Sequence, residues 1–273
     1  MRNLLPSLFC LLVFSCKKDD SKSDIPKVRQ MAVSFLNPTN PSHIDFSFDG
    51  EDRVIKMFFY MGDSGVAVAT GDSLFLMQFY YSGSGELPYK IDLTQIQQRN
   101  TDVHFLSYDI NSRLIKDSIQ YVNAPFYYLN IFEHLAGNIV RTGYYKNSQL
   151  PPQFDYRDTM HFQNGNFVRL TRAGASFMRT GMTYDNGINP LHGLNIAPVS
   201  HVLNPSGDPS ITIWSIWSPM VSRNNMVKHT YYYNGIVNNQ AILQYHYNSE
   251  NLPVYRLWKD QGGNVVDSLT YKY

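Results

Sequence analysis

The sequence is short of cysteine, of excess charge of either sign and of long apolar runs. Its two cysteines, Cys10 and Cys16, both lie within the first 16 residues, so the rest of the chain has no thiol with which to form a disulfide. The 23 basic and 22 acidic residues nearly cancel, and Lys and Arg do not cluster beyond Lys17 and Lys18. Because a nucleic-acid-binding face needs concentrated positive charge, nucleic acid is not an expected partner.

The longest apolar run, Leu4 to Phe14, follows a short basic start. Eleven residues are too few for a membrane-spanning helix, which takes about 20, so the run is typical of a secretory signal. It ends in Val13-Phe14-Ser15-Cys16, which resembles the lipobox of bacterial lipoproteins. The resemblance implies a signal peptide over residues 1–15, acylation of Cys16 and a polar tether over residues 16–29, so that the membrane is a partner through a lipid anchor.

The residues after the lipidated cysteine indicate where the anchored protein goes. Lys17-Lys18-Asp19-Asp20 resembles the lysine-acidic export signal that sends lipoproteins of Bacteroidota to the outer face of the outer membrane. The expected location is therefore the outer membrane, with the protein at the cell surface. The alternative is that the four charges only solvate a tether and the protein faces the periplasm.

The rest of the chain is typical of a β protein. Its 16 Phe and 20 Tyr are residue types that favour strands. An eleven-residue pattern, Phe46 to Lys56, recurs as Leu106 to Lys116 with its Ser, Asp, Arg, Ile and Lys positions unchanged, and a degenerate third copy is Tyr245 to Val254. Each copy runs from an alternating aromatic strand through Asp, Asn, Gly or Ser into an aliphatic strand, which is the pattern of a β-hairpin.

A second signature and the turn spacing complete the architecture. The signature begins with Gly-Asn and occurs as Gly137–Arg141, Gly165–Arg169 and Gly263–Asp267. The first five turn centres lie near residues 50, 84, 111, 137 and 164, and after a first interval of 34 they recur about every 27 residues. We therefore predict one all-β domain over residues 30–273, a long antiparallel meander of hairpin repeats that forms a large curved or partly closed sheet with one irregular loop segment.

The hairpins resemble a known type of repeat. The Tyr-Asp pattern is similar to YD or Rhs-type repeats, and the stretches Tyr245–Tyr273 and Thr183–Leu191 resemble uncharacterised Bacteroidota surface lipoproteins built from degenerate copies of them. The resemblance covers most of the chain after about residue 43. It implies an extracellular β-sheet protein of unknown function and offers no catalytic residues to carry over.

The hairpin rhythm breaks between Asp185 and Pro209, a segment rich in Pro and Gly. Long irregular loops in compact domains tend to be functional or disordered. Its apolar residues predict packing over a sheet face or an open end of a curved sheet. The candidate ligand-binding residues lie in or near this segment, and they are Tyr184, His192, Trp214 and Trp217. The alternative for both tryptophans is a place in the core.

One string imitates an enzyme. Gly71-Asp72-Ser73-Leu74 matches the nucleophile block of GDSL esterases, and Asp158 and His161 have the spacing of the other two triad members. The residues after Ser73 have the pattern of a strand, whereas such a nucleophile sits where a strand turns into a helix. A turn is therefore expected here.

Metal and cofactor signals are weak. The eight histidines are dispersed, with no His-Glu-x-x-His and no close pair at ligand spacing, although His192 and His201 share the irregular segment. No cofactor is expected.

Three functions remain open. The favoured one is a non-catalytic surface lipoprotein that binds a glycan, a peptide or a protein partner. The second is a structural or assembly component of an outer-membrane complex. The third is a GDSL-type hydrolase, which requires Ser73, His161 and Asp158 to converge within hydrogen-bond reach.

Overall fold

The computed structural model describes residues 26–35, 42–61, 75–96, 99–122, 126–147, 151–173, 178–197, 220 and 222–273. These residues form sixteen strands in chain order, β1 to β16. Their bounds are β1 Gln30–Phe35, β2 Ser42–Phe48, β3 Val54–Met61, β4 Phe75–Tyr80, β5 Lys90–Gln95, β6 Asn100–Tyr108, β7 Leu114–Tyr121, β8 Phe126–Leu135, β9 Asn138–Asn147, β10 Gln153–Gln163, β11 Asn166–Ala173, β12 Met178–Ile188, β13 Asn224–Tyr233, β14 Ile236–Tyr247, β15 Pro253–Lys259 and β16 Val265–Lys272.

Each strand pairs antiparallel with the next, and β1 pairs with β16, so the meander closes into a barrel. The predicted all-β meander is confirmed. The sheet closes fully, which goes beyond the curved or partly closed sheet expected from the sequence. Closure rests on the last strand: Gln30 lies opposite Lys272 and Phe35 opposite Asp267.

The alternation of side chains explains why these segments are strands. In β16, for example, Asp267, Leu269 and Tyr271 are buried inside the barrel, whereas Thr270 and Lys272 between and beyond them are exposed. Successive residues of a strand point to opposite faces, so one face lines the interior and the other faces outward. Within the described residues, no helix is long and apolar enough to cross a membrane.

The repeated pattern forms the same turn in each copy, as predicted. Asp109 Oδ1 accepts hydrogen bonds from the amides of Asn111 and Arg113, each at 2.9 Å. Asp49 and Asn248 do the same in the other two copies. The fourth residue of each turn, such as Ser112 with φ of 59°, is left-handed, which is why Asp, Ser and Asn occupy it.

The second and third copies of the Gly-Asn signature form different turns. Asn164-Gly165 has positive φ at both residues and is a two-residue hairpin turn. Gly263 instead belongs to the first turn type, because Asp260 Oδ1 accepts from the Asn264 amide at 2.9 Å. Asn234-Gly235 also forms a two-residue turn that the sequence analysis did not single out.

The barrel has two different ends. The hairpins centred on the predicted turns near residues 50, 84, 111, 137 and 164 all join an even-numbered strand to the following odd-numbered one, so they meet at one end. β1 begins and β16 finishes at this same end. We name it the plugged end and its opposite the cavity end.

The connection from β12 to β13 begins with residues 189–197, which fill the plugged end. We name these residues the plug. Leu191, Leu194 and Ile196 are 0–2% exposed and belong to the same apolar cluster as the barrel interior. Asn195 fixes the segment, since its Oδ1 accepts from the Val54 amide at 2.9 Å. The predicted packing over an open end is thus confirmed.

The boundary of the irregular segment was placed too early. Asp185 to Ile188 lie in β12, and the irregular backbone starts at Asn189. Asn186 and Gly187 are residue types that favour loops. They lie within β12 because its pairing with β13 is irregular between Tyr184 and Ile188. Residues 198–209 lie outside the described part of the chain.

The outer face of the barrel carries charged side chains in the interiors of its strands. All but one follow or precede a residue whose side chain is buried inside, and the remaining one, Lys228, pairs with the exposed Thr183 of β12, so all six point outward. They are Lys56, Asp92, Lys116, Arg157, Arg169 and Lys228.

Candidate functional site

A cavity of about 430 Å³ lies at the cavity end, between β5, β6 and β7. It is lined by Leu93, Gln95, Asn100, Thr101, Asp102, Tyr121 and Val122. The register explains this set: Asp102 lies opposite Leu93 on one side and opposite Tyr121 on the other, so the three side chains share the inner face. The volume is within the roughly 300–1,000 Å³ that small-molecule sites occupy.

The Asp102 carboxylate is the main charged group of this cavity. Burial raises the pKa of Asp102, and the nearby His104 opposes only part of that effect. Among the described residues, no hydrogen bond or ion pair holds the Asp102 side chain. A partly buried carboxylate without a partner loses hydration that a ligand with hydroxyl or ammonium groups would replace.

Aromatic rings continue the cavity wall around the barrel. Tyr121, Tyr128 and Tyr145 lie on β7, β8 and β9, with ring centroids 6.1 Å apart for the first pair and 5.5 Å for the second. Both pairs meet edge to face. Burial, and secondly the charge of Asp102, raise the pKa of Tyr121, so its hydroxyl is neutral at physiological pH. The row therefore supplies apolar surface with neutral polar tips.

A buried polar network lies deeper in the same wall. His104, the next inward residue of β6 after Asp102, donates from Nδ1 to Asp117 at 3.1 Å. Asn130 donates to Asp117 at 3.2 Å and accepts from the Tyr156 hydroxyl at 2.6 Å. Because these partners are all buried or half-buried, the network fixes the floor beneath the cavity.

The network ends in two arginines that share one carboxylate. Arg172 donates from Nε to Asp158 Oδ1 at 2.7 Å, and Arg141 donates to the same carboxylate. Although burial alone would raise the pKa of Asp158, the hydrogen bonds and charges of Arg172 and Arg141 outweigh it and lower the pKa. The guanidinium groups of Arg141 and Arg172 also lie over the Tyr156 ring, at 5.0 and 4.6 Å from its centroid, respectively.

Gly143 makes room for the Tyr156 ring. A Cβ at this position would lie 2.5 Å from two atoms of the ring, closer than real Cβ contacts allow. Gly143 stands opposite Tyr156 in the pairing of β9 with β10. This explains a glycine in the middle of a strand, where the residue normally weakens the sheet.

The described residues predicted to bind ligand lie at the plugged end, away from this cavity. The Tyr184 hydroxyl donates to the Phe167 carbonyl and accepts from Ser222 at 2.9 Å, and burial raises its pKa. Tyr184 therefore packs against the core, and its hydroxyl already forms two hydrogen bonds within the protein. His192 is exposed on the plug, between the buried Leu191 and Leu194. Trp214, Trp217 and the lipidation candidate Cys16 lie outside the described residues.

The triad of the hydrolase hypothesis is not assembled by its two described members. Asp158 points inward and is held by two arginines, whereas His161 lies on the outer face beside Arg169, at 3.1 Å from its guanidinium. The two residues are therefore on opposite sides of the barrel wall. Ser73 lies outside the described residues, as does His201 of the histidine pair considered for a metal. The described residues hold no group of three His, Cys, Asp or Glu arranged to bind a metal ion.

Sequence reasoning missed the cavity residues. Strict alternation in Thr101 to Leu106 would have placed Asp102 on the same face as His104 and Leu106, and a carboxylate on an apolar face is a signal of function or pairing. Its partners Gln95 and Tyr121 come from other strands, so they follow only from the register.

The barrel resembles solved structures. A porin-like protein from Bacteroides vulgatus superposes with a TM-score of 0.56 at 12% identity, over 90% of this chain and 98% of that chain. A porin-like protein from Bacteroides uniformis gives a TM-score of 0.51 at 11% identity, over 90% and 97%. No protein-family model and no curated protein matches the sequence. At this identity the similarity shows a shared fold.

Proposed function

We propose that this protein is a lipid-anchored β-barrel of the outer membrane, displayed at the cell surface, that binds a ligand at its cavity end without catalysis. The observation that carries the proposal is the asymmetry of the barrel. One end is filled by the plug and an apolar core, and the other holds a polar cavity with a carboxylate that no described residue binds. A barrel that only filled space would have no need of such a cavity.

The outer face supports attachment by a lipid rather than insertion of the barrel wall. Porins present an apolar outer band to the membrane, and each Arg or Lys at the midplane costs roughly 2–4 kcal/mol. Arg157, Arg169 and Lys228 stand on the outer face in the middle of their strands. Several such costs together make a lipid-facing wall unfavourable, so we place this wall in water.

The start of the chain supports the direction of attachment. Val28 is fully buried at the plugged end, and the Arg29 amide donates to the Lys272 carbonyl at 2.8 Å. A tether that begins at an acylated Cys16 and ends before the buried Val28 therefore joins the barrel at the plugged end. The cavity end then faces away from the membrane that holds the anchor.

Two further observations support the outer membrane as the location. The structures that share the fold come from Bacteroides and are described as porin-like. The sequence Lys17-Lys18-Asp19-Asp20 resembles the surface-export signal of Bacteroidota lipoproteins. The ligand classes we retain are a glycan, a peptide or a protein, and the cavity favours a small ligand or the end of a larger one.

An assembly role in an outer-membrane complex is the second candidate. It is favoured by Phe105 and Ile131, which are 42% and 38% exposed on the outer faces of β6 and β8. Leu129 lies on the same outer face, with Ser118 between it and Phe105. A protein partner could cover these side chains, although Lys116 interrupts the patch.

The anchor is tested by Cys16→Ser. We expect the variant to lose acylation and to leave the membrane fraction, because the outer face of the barrel is charged and the proposal gives the protein no other anchor. Metabolic labelling with a fatty acid and membrane fractionation measure the two effects. Ser15→Thr, next to the lipidated residue, is the control and should remain membrane-bound. A Cys16→Ser protein that is processed and still integral to the membrane would contradict the anchor.

A further inference from the structure

The lining of the cavity around Asp102 offers both hydrogen-bond donors and acceptors. The amide of Gln95 carries two N–H donors and one acceptor oxygen. The ionised Asp102 carboxylate only accepts. Among the described residues, the Gln95 side chain forms no hydrogen bond, so its amide is available to a ligand together with the carboxylate.

This inventory separates the ligand classes. An ammonium group donates only and would leave the side-chain N–H groups of Gln95 without an acceptor. A phosphate or carboxylate accepts only and would be repelled by Asp102. A hydroxyl group donates and accepts, so a ligand with several hydroxyls can form hydrogen bonds with both the Asp102 carboxylate and the Gln95 amide.

Other residues of the lining are apolar. Leu93, the Tyr121 ring and Val122 border the same cavity as the polar groups. A sugar ring has this combination, because its hydroxyls lie around an edge while the C–H groups of a face are apolar. Tyr128 and Tyr145 extend the aromatic surface from Tyr121 along the wall, where a second ring would lie.

We infer that the cavity around Asp102 binds a small uncharged saccharide, with its hydroxyls on Asp102 and Gln95 and its apolar face against Tyr121 and Leu93. The inference rests on the proposed function, which gives the cavity end a binding role, and it names the ligand class. Burial of the carboxylate supports it, since hydroxyl donors would replace the lost hydration and return the pKa of Asp102 toward its usual range.

The test is saturation-transfer NMR on the purified full-length protein with four probes: maltose, lactose, spermidine and glucuronate. We expect at least one of the two neutral disaccharides to bind and spermidine and glucuronate not to. Asp102→Ala should weaken that binding by roughly tenfold or more, because a hydrogen bond to a charged group is lost. Asp102→Asn, which keeps an acceptor oxygen, should retain part of it.

Asp92→Asn is the matched control. Asp92 lies on the neighbouring strand, next to Leu93, and faces outward, where its carboxylate accepts from the Tyr80 hydroxyl at 2.8 Å. The Asp92→Asn variant should bind the disaccharide with the affinity of the wild type. Thermal unfolding checks that each variant is folded, and we expect the Asp102 variants to fold because no described residue forms a hydrogen bond or an ion pair with the Asp102 side chain.

Three outcomes would overturn the inference. The first is saccharide binding that Asp102→Ala leaves unchanged. The second is spermidine binding that both Asp102 variants abolish alike, which would identify a cation site and leave the proposed binding role intact. The third is the absence of binding by either disaccharide. Failure of the proposed lipid anchor is read separately, from acylation and membrane release of Cys16→Ser.

Discussion

Leu194→Ala is expected to lower the free energy of unfolding by about 2–5 kcal/mol. Leu194 is 2% exposed and lies in the apolar cluster that joins the plug to the barrel interior. Removing its side chain loses the burial of the missing methyl groups and leaves a cavity that the surrounding strands cannot close. Urea unfolding followed by circular dichroism measures the loss.

The plug offers its own control for this prediction. His192 is two residues away and exposed, with one hydrogen bond to the backbone of Met220, so His192→Ala should lower the free energy of unfolding by no more than about 1.5 kcal/mol. Equal and small effects of the two substitutions would show that the plug lies loosely on the barrel. The plug would then be a candidate binding loop, and its role in the core would be wrong.

Asp158→Asn is expected to lower the free energy of unfolding by about 3–5 kcal/mol. The substitution removes the charge that Arg141 and Arg172 share while leaving both guanidinium groups in the barrel wall. Asp109→Asn is the matched control, because Asp109 pairs with Arg113 on the surface and the side chain of Arg113 is 50% exposed. An exposed pair contributes about 0–1 kcal/mol, so this change should be small.

Acid should reproduce the effect of Asp158→Asn in the wild type. The pKa of Asp158 is lowered in the folded protein, so its contribution to stability is present above the unfolded value of about 4 and is lost as the pH falls through the folded value. His229 adds a separate loss, since burial lowers its pKa to about 4 and the unfolded chain takes up that proton first. The difference between wild type and Asp158→Asn isolates Asp158, and it should shrink below about pH 4. A constant difference down to pH 2 would contradict the assigned charge.

The hairpins could be predicted from the sequence because their causes are local. The Asp of each repeat bonds to amides two and four residues later, and a left-handed residue follows within the same turn. A spacing of about 27 residues corresponds to two strands and two turns. The turns at the plugged end of the barrel lie at the predicted positions.

Closure of the barrel could not be predicted in the same way. Closure depends on the pairing of β1 with β16, whose paired residues are more than 230 positions apart in the sequence. The residue pattern of either strand would equally suit a strand at the edge of an open sheet. The cavity was missed for a related reason. Asp102, Leu93 and Tyr121 converge through the registers of three strands, and a shift of one residue would turn Asp102 outward.

The placement of Tyr184 illustrates the third limit. Its neighbours Asp185 to Asn189 have the composition of a loop, which made the tyrosine look available. In the barrel its hydroxyl bonds to Phe167 and Ser222, because the connection that follows folds back into the plugged end. Tertiary packing decides such positions, and composition does not report it.

The central claim, a barrel held by a lipid with its wall in water, is tested most directly by a spin label at Arg157. Once Cys16 is acylated and the signal is removed, the mature chain has no free thiol, so Arg157→Cys carries a nitroxide at one place. Arg157 is exposed on the outer face in the middle of β10. In liposomes that hold the lipidated protein, we predict that a water-soluble nickel chelate relaxes this label more effectively than oxygen does. Relaxation dominated by oxygen would place the wall in lipid and contradict the account.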